Sequence, residues 1–172
     1  MMEILEELEE KKEKKRVTFL LGLIVILLAI IVISIILLTR SNQPIEQAKK
    51  EAIAIARQHT NLSEVDHFYQ FSRKKVYFSL TGKEKDGKEI AVIIPKKSGK
   101  ITVLNQKDGL TEEAVRQLVQ QQSPEESIKK ASLGIYKGKP AWEVVTTSKN
   151  KTENYYVVSF KEGKYLSTIH NI

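Results

Sequence analysis

Cysteine is absent from this chain of 172 residues, and histidine occurs only three times. Without cysteine there can be no disulfide bridge, thiolate nucleophile, cysteine-ligated zinc or iron–sulfur site, and no cysteine for lipid attachment. Three scattered histidines argue against a histidine-ligated metal and against a Ser-His-Asp triad. The composition therefore offers no candidate metal site, no cofactor site and no candidate catalytic residue.

Catalytic and nucleotide-binding motifs are missing as well. The chain has no Gly-rich phosphate loop, no His-x-x-x-His pair and no Gly-x-Ser-x-Gly elbow. Residues 127–130 read Ser-Ile-Lys-Lys and match Ser-x-x-Lys. The partner motifs of a Ser-x-x-Lys enzyme are absent, so we interpret this match as a coincidence.

Charge is absent from the 22 residues between Val17 and Leu38, which read VTFLLGLIVILLAIIVISIILL. A helix of this length extends about 33 Å, enough to cross a hydrocarbon core of about 30 Å. The apolar part of a cleaved signal peptide has only about 7–15 residues and ends at a small-residue cleavage site. The segment 17–38 is therefore predicted to be a retained transmembrane helix.

The basic residues around this segment predict its orientation. Residues 11–16 read KKEKKR, whereas only Arg40 follows the segment before Lys49. Because short loops rich in Lys and Arg stay in the cytoplasm, residues 1–16 are predicted to be a cytoplasmic tail. Residues 39–172, with 23 basic and 15 acidic side chains and a net charge of +8, are then extracytoplasmic at the plasma membrane. This location argues against nucleic acid as a partner.

The first extracytoplasmic segment is predicted to contain one helix and four strands. Pro44 is expected to stop any helix coming from the membrane, which makes residues 39–44 a linker. Apolar residues then recur at helical spacing over residues 45–59. Asp86-Gly87 is a hairpin signal between two strand-like stretches. The predicted strands are residues 65–71, 76–81, 89–94 and 100–104.

The same order of elements restarts near Thr111. This residue precedes Glu112 and Glu113, a pattern typical of a helix N-cap followed by acids in the first turn. The helix is predicted over residues 111–122. Pro124 could begin another helix, but the repeated order favours a strand soon afterwards. The predicted strands lie near residues 128–136, 141–147, 154–160 and 164–169.

Aligning the two halves at an offset of 65 residues, then 64, places Tyr77 on Trp142. The sequence thus predicts an α+β fold, with one N-terminal transmembrane helix and two tandem domains, 45–107 and 108–172, each a helix plus an antiparallel sheet. The sequence leaves two assignments of the buried face of the second strand. Val76, Phe78 and Leu80 would form that face in the first half, whereas Trp142, which aligns with Tyr77, favours the opposite face. A bulge near Gly82 or a register shift would reconcile the two copies.

Two surface features are candidates for binding. Tyr155 and Tyr156 are adjacent, so one faces each side of a sheet, and Tyr77 and Trp142 hold aligned positions. Core packing is the ordinary role of such residues, but an exposed aromatic face would be a docking surface, so these four are the candidate partner contacts. Basic residues near turns are either a solvated surface or a site for anionic polymers or lipid headgroups. They are Arg73, Lys74, Lys75, Lys96, Lys97, Lys100, Lys137 and Lys139.

Three segments carry a resemblance to a known family. They are GKEIAVIIP at residues 87–95, DGLTEEA at 108–114 and PAWEV at 140–144. A helix followed by such a sheet resembles a PepSY-like module, and nearly the whole chain is similar to the TseB/YpmB family of Gram-positive bacteria. The resemblance implies tandem PepSY/cystatin-like domains. No catalytic residue carries over from that family.

The resemblance also implies a function. Members are expected to be non-enzymatic regulators of cell wall (peptidoglycan) elongation that contact a penicillin-binding transpeptidase. An alternative is a PepSY-type inhibitor or chaperone of an extracytoplasmic protease, or a sensor-domain partner of a membrane kinase. A third hypothesis, which comes from the charge and not from the resemblance, is an anionic envelope polymer as the partner.

Overall fold

The computed structural model describes the backbone of residues 2–170 and the side chains of residues 11–36 and 44–170. The side chains at the start of the predicted tail, at Leu37 and Leu38 and in most of the predicted linker lie outside the described residues. The chain forms two compact units, Met1–Glu46 and Gln47–Ile172. Each is described by itself.

The first unit is helical and belongs to helix α1, Met2–His59. Its segment Lys11–Ile36 is long and apolar enough to cross a membrane, and its large apolar side chains are exposed. The hydroxyls of Thr18 and Ser34 each donate to the carbonyl four residues earlier, at 2.8 Å. These bonds satisfy the polar side chains of the apolar segment without water. The predicted N-terminal apolar helix is confirmed.

The helix stop predicted at Pro44 is wrong, because Pro44 lies inside α1. A proline in a helix removes one backbone donor and crowds the preceding turn, which costs about 3 kcal/mol. That cost can be met when neighbouring turns are stabilised by other contacts. Residues 47–59 have such contacts, since Ala52 and Ala56 are buried against the first sheet.

The first sheet is an antiparallel meander in the order β1-β2-β3-β4. The hairpin between its second and third strands turns at Gly87, whose φ of +82° is readily adopted by glycine. All four predicted strands are present, the first two longer than expected. They are β1 Leu62–Ser72, β2 Val76–Glu84, β3 Glu89–Pro95 and β4 Thr102–Asn105.

The second half follows the predicted order. After a short 3₁₀ turn, Gln106–Asp108, helix α2 spans Glu112–Gln122. The Thr111 hydroxyl accepts a hydrogen bond from the Ala114 N–H at 3.2 Å, as predicted for the N-cap. A strand, not a further helix, follows residues 123–126. The second sheet has the order β5-β6-β7-β8, with β5 Ser127–Tyr136, β6 Lys139–Thr147, β7 Glu153–Ser159 and β8 Tyr165–Ile169.

Two apolar cores hold the second unit together. In one, the α1 residues Ala52 and Ala56 pack on the face of the first sheet that carries Leu80. The other core contains Val115 of α2, the α2-facing side of the second sheet and residues from the opposite face of the first sheet, such as Ile93. The first sheet is therefore covered on both faces.

The composition of the two cores shifts the predicted alignment of the two halves by one residue. Phe78 packs in the core that contains α1, and Trp142 packs in the core that contains α2. Each therefore faces the helix of its own half, so Phe78, at an offset of 64, corresponds to Trp142. Tyr77 lies on the other face. The register shift considered for this strand is thus present, and β1 is irregular opposite Gly82, where a Cβ would lie 2.0 Å from the Glu64 carbonyl oxygen.

Strand β5 connects the two sheets, because it contacts β1, β2 and β3. The buried hydroxyl of Ser79 donates to the Leu133 carbonyl at 2.7 Å. The hydroxyl of Tyr69 donates to the Glu112 carboxylate of α2 at 2.8 Å. Burial, together with this carboxylate, raises the pKa of Tyr69, so the tyrosine stays a neutral donor. The division into domains at residues 107 and 108 stays a prediction.

Candidate functional site

Three turns of the second unit meet around a cavity of about 630 Å³. They are the β1–β2 turn, residues 73–75, the β3–β4 turn, residues 96–101, and the two-residue β5–β6 hairpin, residues 137–138. A neighbouring cavity of about 500 Å³ shares Tyr77 and Ile135 with the first. We call the two cavities together the basic groove. Its lining comprises Arg73, Lys74, Lys75, Val76, Tyr77, Pro95, Lys96, Lys97, Ser98, Gly99, Lys100, Thr102, Ile135, Tyr136, Lys137 and Gly138.

Backbone geometry brings these turns together. The Lys96 N–H donates to the Val76 carbonyl at 2.9 Å and so fixes the β3–β4 turn beside β2. Lys137 and Gly138 have φ of +46° and +82°, typical of a tight two-residue hairpin. Of the eight basic residues that the sequence places near turns, seven therefore line one groove. Lys139 lines a different cavity.

The groove is strongly positive. No Asp or Glu is among its lining residues, and in the part of the chain whose side chains are described, none of its six lysines forms an ion pair with a carboxylate. A hydrogen bond from Ser167 lowers the pKa of Tyr136, and the nearby charges of Lys137 and Arg73 act in the same direction. The lysines thus project uncompensated charge into a concave surface.

Arg73 differs from the lysines because its charge is compensated. Its guanidinium pairs with the Glu143 carboxylate, and the two side chains are only 18% and 9% exposed. The same guanidinium lies 5.6 Å from the ring centre of Tyr136 and 5.9 Å from that of Tyr155. This arrangement attaches the β1–β2 turn to the second sheet and forms one wall of the groove.

Glu143→Gln is expected to lower the free energy of unfolding by about 1–3 kcal/mol, since it leaves a largely buried guanidinium without its counter-charge. Glu125→Gln is the matched control, because the Glu125–Lys149 pair is exposed and such pairs contribute about 0–1 kcal/mol. Urea unfolding of the full chain in detergent, followed by Trp142 fluorescence, measures both. Equal losses in the two variants would contradict the structural role of Arg73.

The four candidate contacts occupy different environments. Tyr77 is half-buried in the lining of the groove, and Tyr155 is half-buried beside Arg73. Trp142 is 1% exposed, and its indole N–H donates to the Leu110 carbonyl at 2.8 Å. Tyr156 is 2% exposed, with its hydroxyl bonded to Glu126. Of these four residues, Tyr77 and Tyr155 are the two whose side chains are accessible to a partner.

Metal ligands and a nucleophilic serine are the two kinds of reactive site to consider in the structure. Among the residues whose side chains are described, no three His, Asp or Glu side chains form a cluster that could hold a metal ion. The hydroxyl of Ser127, from the Ser-x-x-Lys match, donates to the Thr147 carbonyl at 3.4 Å. The features of this surface are thus the charge of its lysines and the two half-buried tyrosines.

These features define an α+β protein with an apolar N-terminal helix and two antiparallel sheets, each covered by a helix. Comparison with known proteins identifies relatives of this chain. Residues 51–95 match the family described as the cell wall elongation regulator TseB-like domain. The chain is 27% identical over 125 residues to the probable cell wall elongation regulator TseB of Bacillus subtilis (strain 168), an alignment covering 72% of this chain and 78% of that protein.

A solved structure is also similar. The YpmB protein from Bacillus subtilis superimposes with a TM-score of 0.60 at 27% identity, over 70% of this chain and 95% of that one. The resemblance to the TseB/YpmB family that was inferred from the sequence is thereby confirmed. The family match contains the β1–β2 turn of the groove, whereas the β3–β4 turn and the β5–β6 hairpin lie beyond it.

Proposed function

We propose that the chain is a membrane-anchored regulator of cell wall elongation that acts by contact with a penicillin-binding transpeptidase. The observation that carries the proposal is its family, because both the matching domain and the 27% identical relative are named for the regulation of wall elongation. The proposed role is that of an adaptor and not of an enzyme.

The anchor in this proposal is the apolar part of α1. Lys11–Ile36 is long enough to cross a bilayer, and five of residues 11–16 are basic. By the positive-inside rule the N-terminus is cytoplasmic, and Gln47–Ile172 is outside. A wall-synthesis enzyme of the same membrane is then within reach of the second unit.

The contact surface in this proposal contains the two accessible tyrosines. Tyr77 lines the groove and Tyr155 packs beside Arg73. Tyrosine is enriched at energetically important positions of interfaces, because it offers a large apolar ring and a polar hydroxyl together.

Photo-crosslinking in intact cells tests this contact. A photoreactive residue replaces Tyr77 or Tyr155 in the full chain, and crosslinked proteins are identified by mass spectrometry. We expect a penicillin-binding transpeptidase from at least one of these positions. The control is the exposed Lys85, which follows β2 at the strand end away from the groove. No transpeptidase from either tyrosine, or equal recovery from Lys85, would contradict the proposed interface.

A further inference from the structure

The six lysines of the basic groove have a physical property that a transpeptidase contact does not explain. They come from three separate turns and line the same groove, and no carboxylate is among the lining residues. Like charges held together repel each other, so the arrangement costs free energy unless an anion compensates it. The groove is therefore interpreted as a site whose counter-charge comes from another molecule.

We propose that the basic groove binds a linear polyanion with phosphate groups along its backbone, of which a poly(glycerol phosphate) chain is an example. Lysine recognises phosphate as a point charge and needs no fixed geometry. Several lysines along a groove would contact successive phosphates and release their counterions, so affinity must fall as salt rises. This inference goes beyond the proposed function and does not depend on it.

The shape of the groove favours a chain over a flat surface. Its two cavities have volumes of about 630 and 500 Å³ and share several lining residues. Tyr77 and Ile135 are half-buried in the lining of both cavities, whereas the lysines of the turns are exposed. A bilayer surface would touch the projecting turns but would not reach these residues. A flexible chain can enter, with its carbon segments on Tyr77 and Ile135 and its phosphates beside the lysines.

The experiment uses the full chain in nanodiscs of phosphatidylcholine, a neutral lipid. Fluorescently labelled poly(glycerol phosphate) is titrated and its anisotropy recorded at several salt concentrations. We expect saturable binding that weakens by about tenfold or more between about 50 and 200 mM salt. Binding that does not change with salt would overturn the proposal, and so would the absence of binding at low salt.

A charge-matched pair of variants separates the groove from the general positive charge. The groove variant combines Lys74→Glu, Lys97→Glu and Lys100→Glu, and it should lower the affinity by about tenfold or more and flatten the salt dependence. The control combines Lys85→Glu, Lys107→Glu and Lys129→Glu, three exposed lysines outside the groove. Equal losses in both would overturn the proposal. Trp142 fluorescence verifies that each variant is folded.

Two further probes distinguish the source of the phosphate. Vesicles containing phosphatidylglycerol are added to the same nanodiscs, and stronger binding to vesicles than to the polymer would assign the groove to a lipid headgroup and overturn the proposal. Oligodeoxythymidine of matched charge tests for recognition of bases, and tighter binding of that probe would also overturn it. Transpeptidase crosslinking by the groove variant is measured separately, so the two proposals can fail independently.

Discussion

Trp142→Ala is expected to lower the free energy of unfolding of Gln47–Ile172 by about 3–5 kcal/mol, a large part of the stability of a unit of this size. The indole is 1% exposed and packs edge-to-face on Tyr69, with ring centres 5.2 Å apart. Its N–H also satisfies the Leu110 carbonyl. Removing the ring leaves a cavity where both halves meet and a carbonyl without this donor.

Hydrogen exchange of the full chain in detergent measures this loss without needing the tryptophan as a probe. Amides of β6 and β7 should lose protection, and those of β1 should follow, because Tyr69 of β1 contacts the indole. Val103→Ala is the control, since Val103 is 46% exposed on an edge strand and should cost less than about 0.5 kcal/mol. Retained protection in β1 would contradict a shared core.

Gly134→Ala is expected to destabilise the same unit by about 1–3 kcal/mol or more, although it adds a single methyl group. A Cβ on Gly134 would lie 2.2 Å from Cγ and 2.6 Å from Cβ of Phe71. Phe71 is itself 1% exposed and cannot move aside without disturbing β1. The glycine is thus required by the close approach of the two sheets and not by an unusual backbone angle.

A double-mutant cycle tests this explanation. Phe71→Ala removes the ring that the new methyl group would meet, so Gly134→Ala should cost much less in that background than in the natural chain. Urea unfolding followed by Trp142 fluorescence gives the four free energies. Additive effects of the two substitutions would show that the penalty at Gly134 has another origin.

Local sequence signals predicted the elements of this fold well. The N-cap at Thr111, the turn at Gly87 and the alternation along the strands each depend on neighbouring residues, and all are found in the structure. Pro44 was misleading because its cost is local, whereas the contacts that stabilise the following turns come from a sheet formed later in the chain. Tertiary packing overrode a local rule.

The buried face of each strand, and the residues that pack on it, were harder to predict than the helices and strands themselves. Alternation showed that Tyr155 and Tyr156 face opposite sides of a sheet, but it could not show which side the other half covers. Trp142 for the same reason looked like a candidate contact and is a core residue. The correct pairing of Trp142 with Phe78 became visible only through the helix that each one faces.

The groove was predicted in composition but not in shape. The sequence shows basic residues near several turns, and the excess of charge indicated anionic polymers or headgroups. No local sequence pattern shows that the turn at Lys74 lies beside the hairpin at Lys137. The distance between these two turns depends on how β5 packs against the first sheet. Long-range geometry of this kind has no signal in a single sequence.

The covering of the first sheet on both faces has a consequence for synthesis. Its four strands are complete at Asn105, yet the face that carries Ile93 is closed only by later residues such as Leu133 and Trp142. At about 5–20 residues per second, a half-made chain would display this apolar face for roughly 2–7 s. Nascent molecules are therefore most vulnerable to aggregation in that interval, and a folding helper would be of greatest use then.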